Sequence, residues 1–380
     1  MASQSGRVET HEGLEGVIAG TSAICLVDGT KGRLIYRGYD AEILGQQSTF
    51  EEVAYLLWHD DLPNRVALES LKADLLRAGA LPAPVIDILK RIPKEAQPMA
   101  VLRTGVSALG HFDLDTADNS PAANARKAVR LTAQVPAIVG AFHRLRTGAQ
   151  PVAPQASLSH AANYLYQLHG TPPDPEVARA LDMVLVLHAD HEFNASTFSA
   201  RVSAATLTDL HSAITSAIGT LKGPLHGGAN EDVMRLLESI GRVDRVEPVI
   251  TEMLAAKKKI PGFGHRVYRT EDPRARFLRP MSKRLGERAG DPLWYQLTRK
   301  VEEVVTAQRK IHANVDLYSS SVYRAMGIPM DLYTTTFAVS RIAGWTAHVL
   351  EQYSDNRLIR PLSEYVGAMD RTYVPLNERG

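Results

Sequence analysis

The stretch Ala180-Leu181-Asp182-Met183-Val184-Leu185-Val186-Leu187 constrains this chain most. It closes an amphipathic segment that runs from Pro175 to His188, and at helical pitch it is apolar nearly all the way round. Such a helix offers no face to water and must lie inside a shell of other elements. The sequence around it supplies more helices. Phe50 to Trp58, Asn64 to Leu76, Pro84 to Arg91, Met99 to Leu109 and Asn124 to Arg144 carry apolar residues at three- and four-residue spacing. Ser48 or Thr49 is placed to cap the first of these. Thr197 to Gly219 and Asn230 to Ser239 continue the pattern, and Pro248 to Lys258 opens on proline at the tolerated first position. Pro292 to His312 is charged on one face, and Met330 to Tyr353 is rich in small residues, as in a tightly packed helix.

Strand signals are confined to the first forty residues. Val17 to Ile24 and Leu34 to Arg37 flank the turn-forming Asp28-Gly29-Thr30-Lys31-Gly32, which predicts a small hairpin. No strand–helix–strand alternation follows, so a doubly wound sheet is excluded and the fold class is mostly α. The longest irregular regions fall around 112–121, 145–158 and the tail after Arg360. At 380 residues the chain is long enough for one large or two unequal domains.

A formal net charge of +1 argues against a general nucleic-acid binder. No run of eighteen apolar residues exists to span a membrane, and Met1 to Gly13 lacks the apolar region of a secretory signal, so a cytoplasmic location is expected. Cys25 is the one cysteine, which rules out an internal disulfide; its place in an apolar run reads as packing.

Chemistry-bearing residues gather in polar islands. One is His188-Ala189-Asp190-His191-Glu192-Phe193-Asn194-Ala195-Ser196; another is Gly223-Pro224-Leu225-His226-Gly227-Gly228-Ala229-Asn230. A third is Pro261-Gly262-Phe263-Gly264-His265-Arg266-Val267, continuing through Arg269 to Asp272-Pro273-Arg274. His188 and His191 stand one helical turn apart, but no second ligand cluster supports a metal there. The Gly262/Gly264 pair lacks a third glycine and follows a proline, so it is not a dinucleotide fingerprint. Arg266, Arg269, Arg274, Arg276 and Arg279 form either an oxyanion clamp or, for Arg276 and Arg279, a solvated helix face. Asp316 lies in the otherwise uncharged Ala313-Asn314-Val315-Asp316-Leu317; it either caps a helix starting near Leu317 or serves as a general base. Arg341 and Arg360 sit in apolar or proline-flanked surroundings and call for an anionic partner. The residues alone point to acid–base chemistry on a small carboxylated molecule and do not name the reaction.

These islands are also where the chain resembles the citrate synthases, from Gly13-Leu14-Glu15-Gly16-Val17 through Tyr36-Arg37-Gly38-Tyr39 to about Arg360-Pro361. The resemblance implies a two-domain helical fold: a large domain of 1–225 plus 327–380 and a small domain of 226–326 that closes over the active site. It implies that Asp316 takes a methyl proton from acetyl-CoA, that His226 stabilises the resulting enol or enolate, and that His265 protonates the ketone oxygen of oxaloacetate, with Ser196 assisting. It assigns His191, Arg274, Arg341 and, from a partner subunit, Arg360 to the oxaloacetate carboxylates, with Phe337 lining the same pocket. Lys259, Ile260, Gly262, Gly264 and Arg269 would meet CoA. The implied assembly is a homodimer using acetyl-CoA as cosubstrate and no metal. The chain begins directly with the core, which resembles the shorter dimeric enzymes and implies no N-terminal regulatory domain. Two alternatives stay open at this point: a 2-methylcitrate synthase taking propionyl-CoA, since one methylene is worth only about 1–3 kcal/mol, and a non-catalytic citrate-binding relative. Leu225 before His226, where a lysine is expected in methylcitrate synthases, favours the acetyl-CoA reading.

Overall fold

The structure is a computed structural model that describes residues 11–380. What the sequence suggests for residues 1–10 lies outside the described residues. Among the described residues there are sixteen α-helices and one small sheet. In chain order the helices are α1 (Ala41–Gln47), α2 (Phe50–His59), α3 (Arg65–Ala78), α4 (Ala83–Arg91), α5 (Pro98–Leu109), α6 (Pro121–Arg146), α7 (His160–His169) and α8 (Pro175–His188). They continue with α9 (Ala195–Ala204), α10 (Leu210–Leu221), α11 (Ala229–Ile240), α12 (Val246–Ala255), α13 (Pro273–Arg288), α14 (Leu293–Arg309), α15 (Val315–Ala325) and α16 (Tyr333–Ser354). None is long and apolar enough to cross a membrane.

Local chemistry sets the helix ends. Thr49 and Glu52 form a reciprocal capping box at α2. Asn64, Ser120, Ser159, Asp174, Asn194 and Asp209 each accept a backbone N–H of the first turn that would otherwise lack a partner. Proline opens α5, α6, α8 and α13, where its missing N–H costs nothing.

Several expectations are corrected. The hairpin exists, but its first strand is β1 (Cys25–Asp28), and 17–24 is irregular. β2 (Arg33–Tyr36) pairs with β1 in antiparallel register, Cys25 opposite Tyr36, and a third strand, β3 (Tyr39–Asp40), pairs with β2. Only the alternating Cys25, Val27, Leu34 and Tyr36 reach the core, which fixes the strand register more tightly than the apolar run before it. The stretch Thr197 to Gly219 is two helices, broken where Asp209 caps α10. Helix α12 starts two residues before Pro248. Helix α15 is capped by Asn314, whose side chain accepts the Asp316 N–H, so Asp316 lies inside the first turn. Helices α7 and α13, unassigned in the sequence, complete the shell.

Helix α8 is buried at the centre as its composition demands, with Leu181, Val184, Leu185, Val186, Leu187 and His188 fully enclosed. Helix α16 crosses its C-terminal end. A Cβ at Gly344 would fall 2.3 Å from the Ala189 carbonyl oxygen and 2.4 Å from Asp190 Oδ1, so only glycine permits the approach. The Gly344 N–H instead donates to Ala189 O at 3.1 Å. The Tyr36 hydroxyl, from β2, bonds the backbone of Leu187 and Asp190 and ties the sheet to the same corner. The chain turn after α8 is thereby held from two sides, and that turn carries the first polar island.

Candidate active site

His226 lies in the turn between α10 and α11. The Ser196 N–H, at the N-terminus of α9, points at His226 Nε2 from 3.3 Å. A main-chain N–H cannot rotate away, so Nε2 is the acceptor and the ring proton sits on Nδ1. The Ser196 hydroxyl is 2.9 Å from the same nitrogen, takes a hydrogen bond from the Trp345 indole N–H at 3.1 Å and reaches Asn194 Oδ1 at 2.8 Å. Burial holds the His226 pKa down at about 4, and Arg341 adds to the effect. The positive end of α9 disfavours an imidazolium in the same sense. His226 is thus a neutral ring with its Nδ1–H left for a ligand.

His265 carries the opposite tautomer. Its Nδ1 accepts the N–H groups of Val267 (3.0 Å) and Tyr268 (3.1 Å), which leaves the proton on Nε2. Burial again lowers its pKa to about 4, with Arg274 contributing. The ring lies 4.6 Å from Tyr268 and 5.2 Å from His191, centroid to centroid. His191 is buried, and its Nε2 has no partner among the described residues. Burial, then Arg274, His265 and Arg341, hold its pKa well below the ordinary value.

Asp316 is displaced the other way. Burial lifts its carboxyl to about 6, opposed by Arg274, Arg341 and Lys259. Such a carboxylate is ionised at neutral pH yet more basic than an ordinary aspartate, as a general base requires.

The arginines differ in how they are held. Arg341 is 1 % exposed and has no carboxylate within 4.0 Å among the described residues. It donates from Nε to the His188 carbonyl at the end of α8 (2.7 Å) and stacks over Phe337 at 4.5 Å. Burial lowers its pKa to about 10, so it remains charged, a buried cation awaiting an anion. Arg274 is buried too, but it forks onto Asp272 through Nε (3.0 Å) and Nη2 (2.9 Å). Asp272 also accepts the Val315 N–H at 3.1 Å, which joins Arg274 to the helix bearing Asp316. Arg276 is exposed and paired with Glu42, while Arg279 is held by Glu271, Glu302 and Tyr318, so both are structural.

For the expected CoA residues, Gly262 O accepts from Asn314 N, and Gly264 uses its N–H on His312 O and its carbonyl on Asn314 Nδ2. This loop therefore braces the approach to Asp316. The Arg269 and Lys259 side chains are exposed and form no salt bridge among the described residues. Arg360 is exposed in the extended tail after α16.

Sequence reasoning did not single out Trp345, Asn194, Asp272 or Tyr268. Asp272-Pro273 was a readable signal, because an N-cap aspartate before proline marks a helix start. Nothing local marks Trp345, whose role exists only once α16 crosses α9. Two clefts lie elsewhere: about 450 Å³ lined by Glu51, Lys72 and His160, and about 570 Å³ lined by Arg103, His111 and His211. Neither contains a residue of the cluster.

A family model described as citrate synthase, C-terminal domain, matches residues 13–362. The chain is 51 % identical to citrate synthase 2 of Bacillus subtilis over 97 % of this chain and 98 % of that one. The chain belongs to the citrate synthase family. The citrate synthase of Haloferax volcanii is 47 % identical over 98 % of this chain and 99 % of its own. Among solved structures, the Thermoplasma acidophilum citrate synthase in ternary complex with carboxymethyl coenzyme A and oxaloacetate superposes with a TM-score of 0.92 at 32 % identity, covering 98 % of this chain and 100 % of that one. The mostly α fold and the enzymatic, acyl-transferring character expected from the sequence stand on these matches.

Proposed function

We propose that this member of the citrate synthase family condenses acetyl-CoA with oxaloacetate, and that His226, His265 and Asp316 do the chemistry. The observation that carries the reading is the pair of opposite tautomers. His226 offers Nδ1–H and His265 offers Nε2–H, each fixed by main-chain N–H groups on the other ring nitrogen. Two neutral donors suit two carbonyl oxygens, one on each substrate.

Asp316 removes a methyl proton from acetyl-CoA while His226 Nδ1–H bonds the thioester oxygen and stabilises the enol or enolate as charge develops. The new carbon–carbon bond forms on the ketone carbon of oxaloacetate, and the His265 Nε2 proton passes to its oxygen. Water then cleaves the citryl thioester to give citrate and CoA. Ser196 assists by holding His226. Arg341, Arg274 and His191 bind the oxaloacetate carboxylates beside Phe337. Arg341 is the best prepared of them, because no carboxylate among the described residues lies within 4.0 Å of it. Arg269 and Lys259 meet CoA phosphates, and backbone around Ile260 meets the adenine.

The reading includes a homodimer in which Arg360 enters the partner's site. The exposed tail that carries Arg360 supports this: Leu358, Leu362, Tyr365, Val366, Met369 and Tyr373 face solvent in the single chain, an apolar set that a second copy would cover. It also includes a small domain at 226–326, supported by the packing of α11 and α13 on α15 and of α12 on α14, and a cytoplasmic location.

The test is thiol release from acetyl-CoA and propionyl-CoA side by side, with and without oxaloacetate. Oxaloacetate-dependent release that favours acetyl-CoA is expected. Preference for propionyl-CoA would turn the assignment to methylcitrate synthesis, and release from neither would overturn it.

A further inference from the structure

The β1–β2 turn is far from His265 in sequence but touches the segment that orients it. Three successive backbone N–H groups follow His265. Those of Val267 and Tyr268 hold His265 Nδ1, and the third, from Arg269, donates to the Gly29 carbonyl at 2.9 Å. Gly29 packs so closely that a Cβ there would fall 2.1 Å from the Val267 carbonyl oxygen. Gly32, at the other end of the turn, would place a Cβ 2.6 Å from Thr270 Oγ1. The turn keeps its own shape through Asp28, whose Oδ1 accepts the N–H groups of Thr30 (3.1 Å) and Lys31 (2.9 Å).

We propose that the β1–β2 turn, through the Gly29 carbonyl, is a positioning element that holds the 267–269 backbone and so keeps the His265 Nε2–H aimed at substrate. The inference rests on the reading of His265 as proton donor given above. The physical reason is that an imidazole tautomer is set by whatever bonds its second nitrogen. Here that partner is a short backbone segment with no regular structure of its own, so something outside must fix it. The sheet does so, since β1 and β2 are anchored in the core by Cys25, Val27, Leu34 and Tyr36. The proposed function assigns neither Gly29 nor Asp28 a contact with substrate.

Gly29→Ala tests the idea cleanly. Gly29 does not occupy the left-handed region, so alanine suits the turn itself, and its conflict is with Val267, whose carbonyl oxygen, carbonyl carbon and Cγ1 would lie 2.1, 2.8 and 3.1 Å from the new Cβ. Two readouts are taken on the full-length protein: steady-state kinetics and the nitrogen-15 signature of His265, assigned by its loss in His265→Gln. The wild type should show a single Nε2–H tautomer. In Gly29→Ala the expected result is mixed tautomers with kcat about tenfold lower and KM for oxaloacetate nearly unchanged. Asp28→Ala should show the same change in weaker form and Asp28→Asn, which keeps the accepting oxygen, should restore it. Thr30→Ala, an exposed side chain in the same turn, should behave as wild type. An unaltered His265 signature in both Gly29→Ala and Asp28→Ala would overturn the proposal, whatever happens to the rate. If Gly29→Ala fails to fold, the two Asp28 variants decide. The signature needs no turnover, so a wild type without thiol release would sink the functional reading while leaving this inference to be judged on the spectra.

Discussion

Asp316→Asn should slow the enzyme and stabilise it at once. Burial is the largest cause that lifts the Asp316 carboxyl from 3.8 to about 6. The native state then binds this proton more tightly than the unfolded chain does. Ionised Asp316 therefore works against the fold at neutral pH, and that strain is relieved as the pH falls through 6 toward 4. The gap is worth up to about 3 kcal/mol. Asp316 as a residue is only half-buried, and screening lowers the figure. Asparagine has the same shape without the charge, so the melting temperature at pH 7 should rise while thiol release falls by about 10²–10⁴-fold. Calorimetry on wild type and variant at pH 7 and pH 5 measures the first effect, and the stabilisation should shrink at the lower pH. For the wild type, kcat/KM should drop about tenfold between pH 7 and pH 5, following the ionised fraction of a group at about 6. A variant that melts lower than wild type, or an acid limb centred near 4, would refute the reasoning, because either would mean that the carboxylate is stabilised in the native state.

Three further outcomes are expected. Arg341→Leu should weaken oxaloacetate binding by about a hundredfold or more by calorimetric titration, since two charge-assisted hydrogen bonds are lost; the fold should lose little, because the guanidinium has no carboxylate partner among the described residues. Arg360→Ala mixed with Asp316→Gly should recover part of the activity, since one hybrid site carries both intact groups, and no recovery after confirmed subunit exchange would count against a shared site. Treatment with a chelator should leave turnover unchanged, and a loss restored by a divalent cation would reverse the metal-free reading.

Much of the helical shell was legible because its signals are local. Thr49, one of the two caps offered for the helix starting at Phe50, does cap it, and the apolar run 180–187 can only be a buried helix. Helix α13 was obscured because its arginines mask the apolar period, and α7 because it is short and half polar. The break between α9 and α10 turned on Asp209, whose side chain takes the Ser212 N–H instead of continuing the helix. His226 and His265 stood out because each sits in a polar island within an apolar chain, and Asp316 because it is the one charge in the stretch 313–317.

The sequence by itself determined most of the helical segments, that α8 is central, and which polar side chains are candidates for chemistry, since periodicity, caps and composition act over a few residues. The protonation states were decided only by tertiary structure. Ser196 N–H reaches His226 across thirty residues, Gly29 meets Val267 across more than two hundred, and Arg341 faces the end of α8 because Gly344 lets α16 approach. A tautomer, a lifted carboxyl and a buried guanidinium bonded to a helix-end carbonyl are properties of neighbours, and neighbours distant along the chain are brought together only by the packed core.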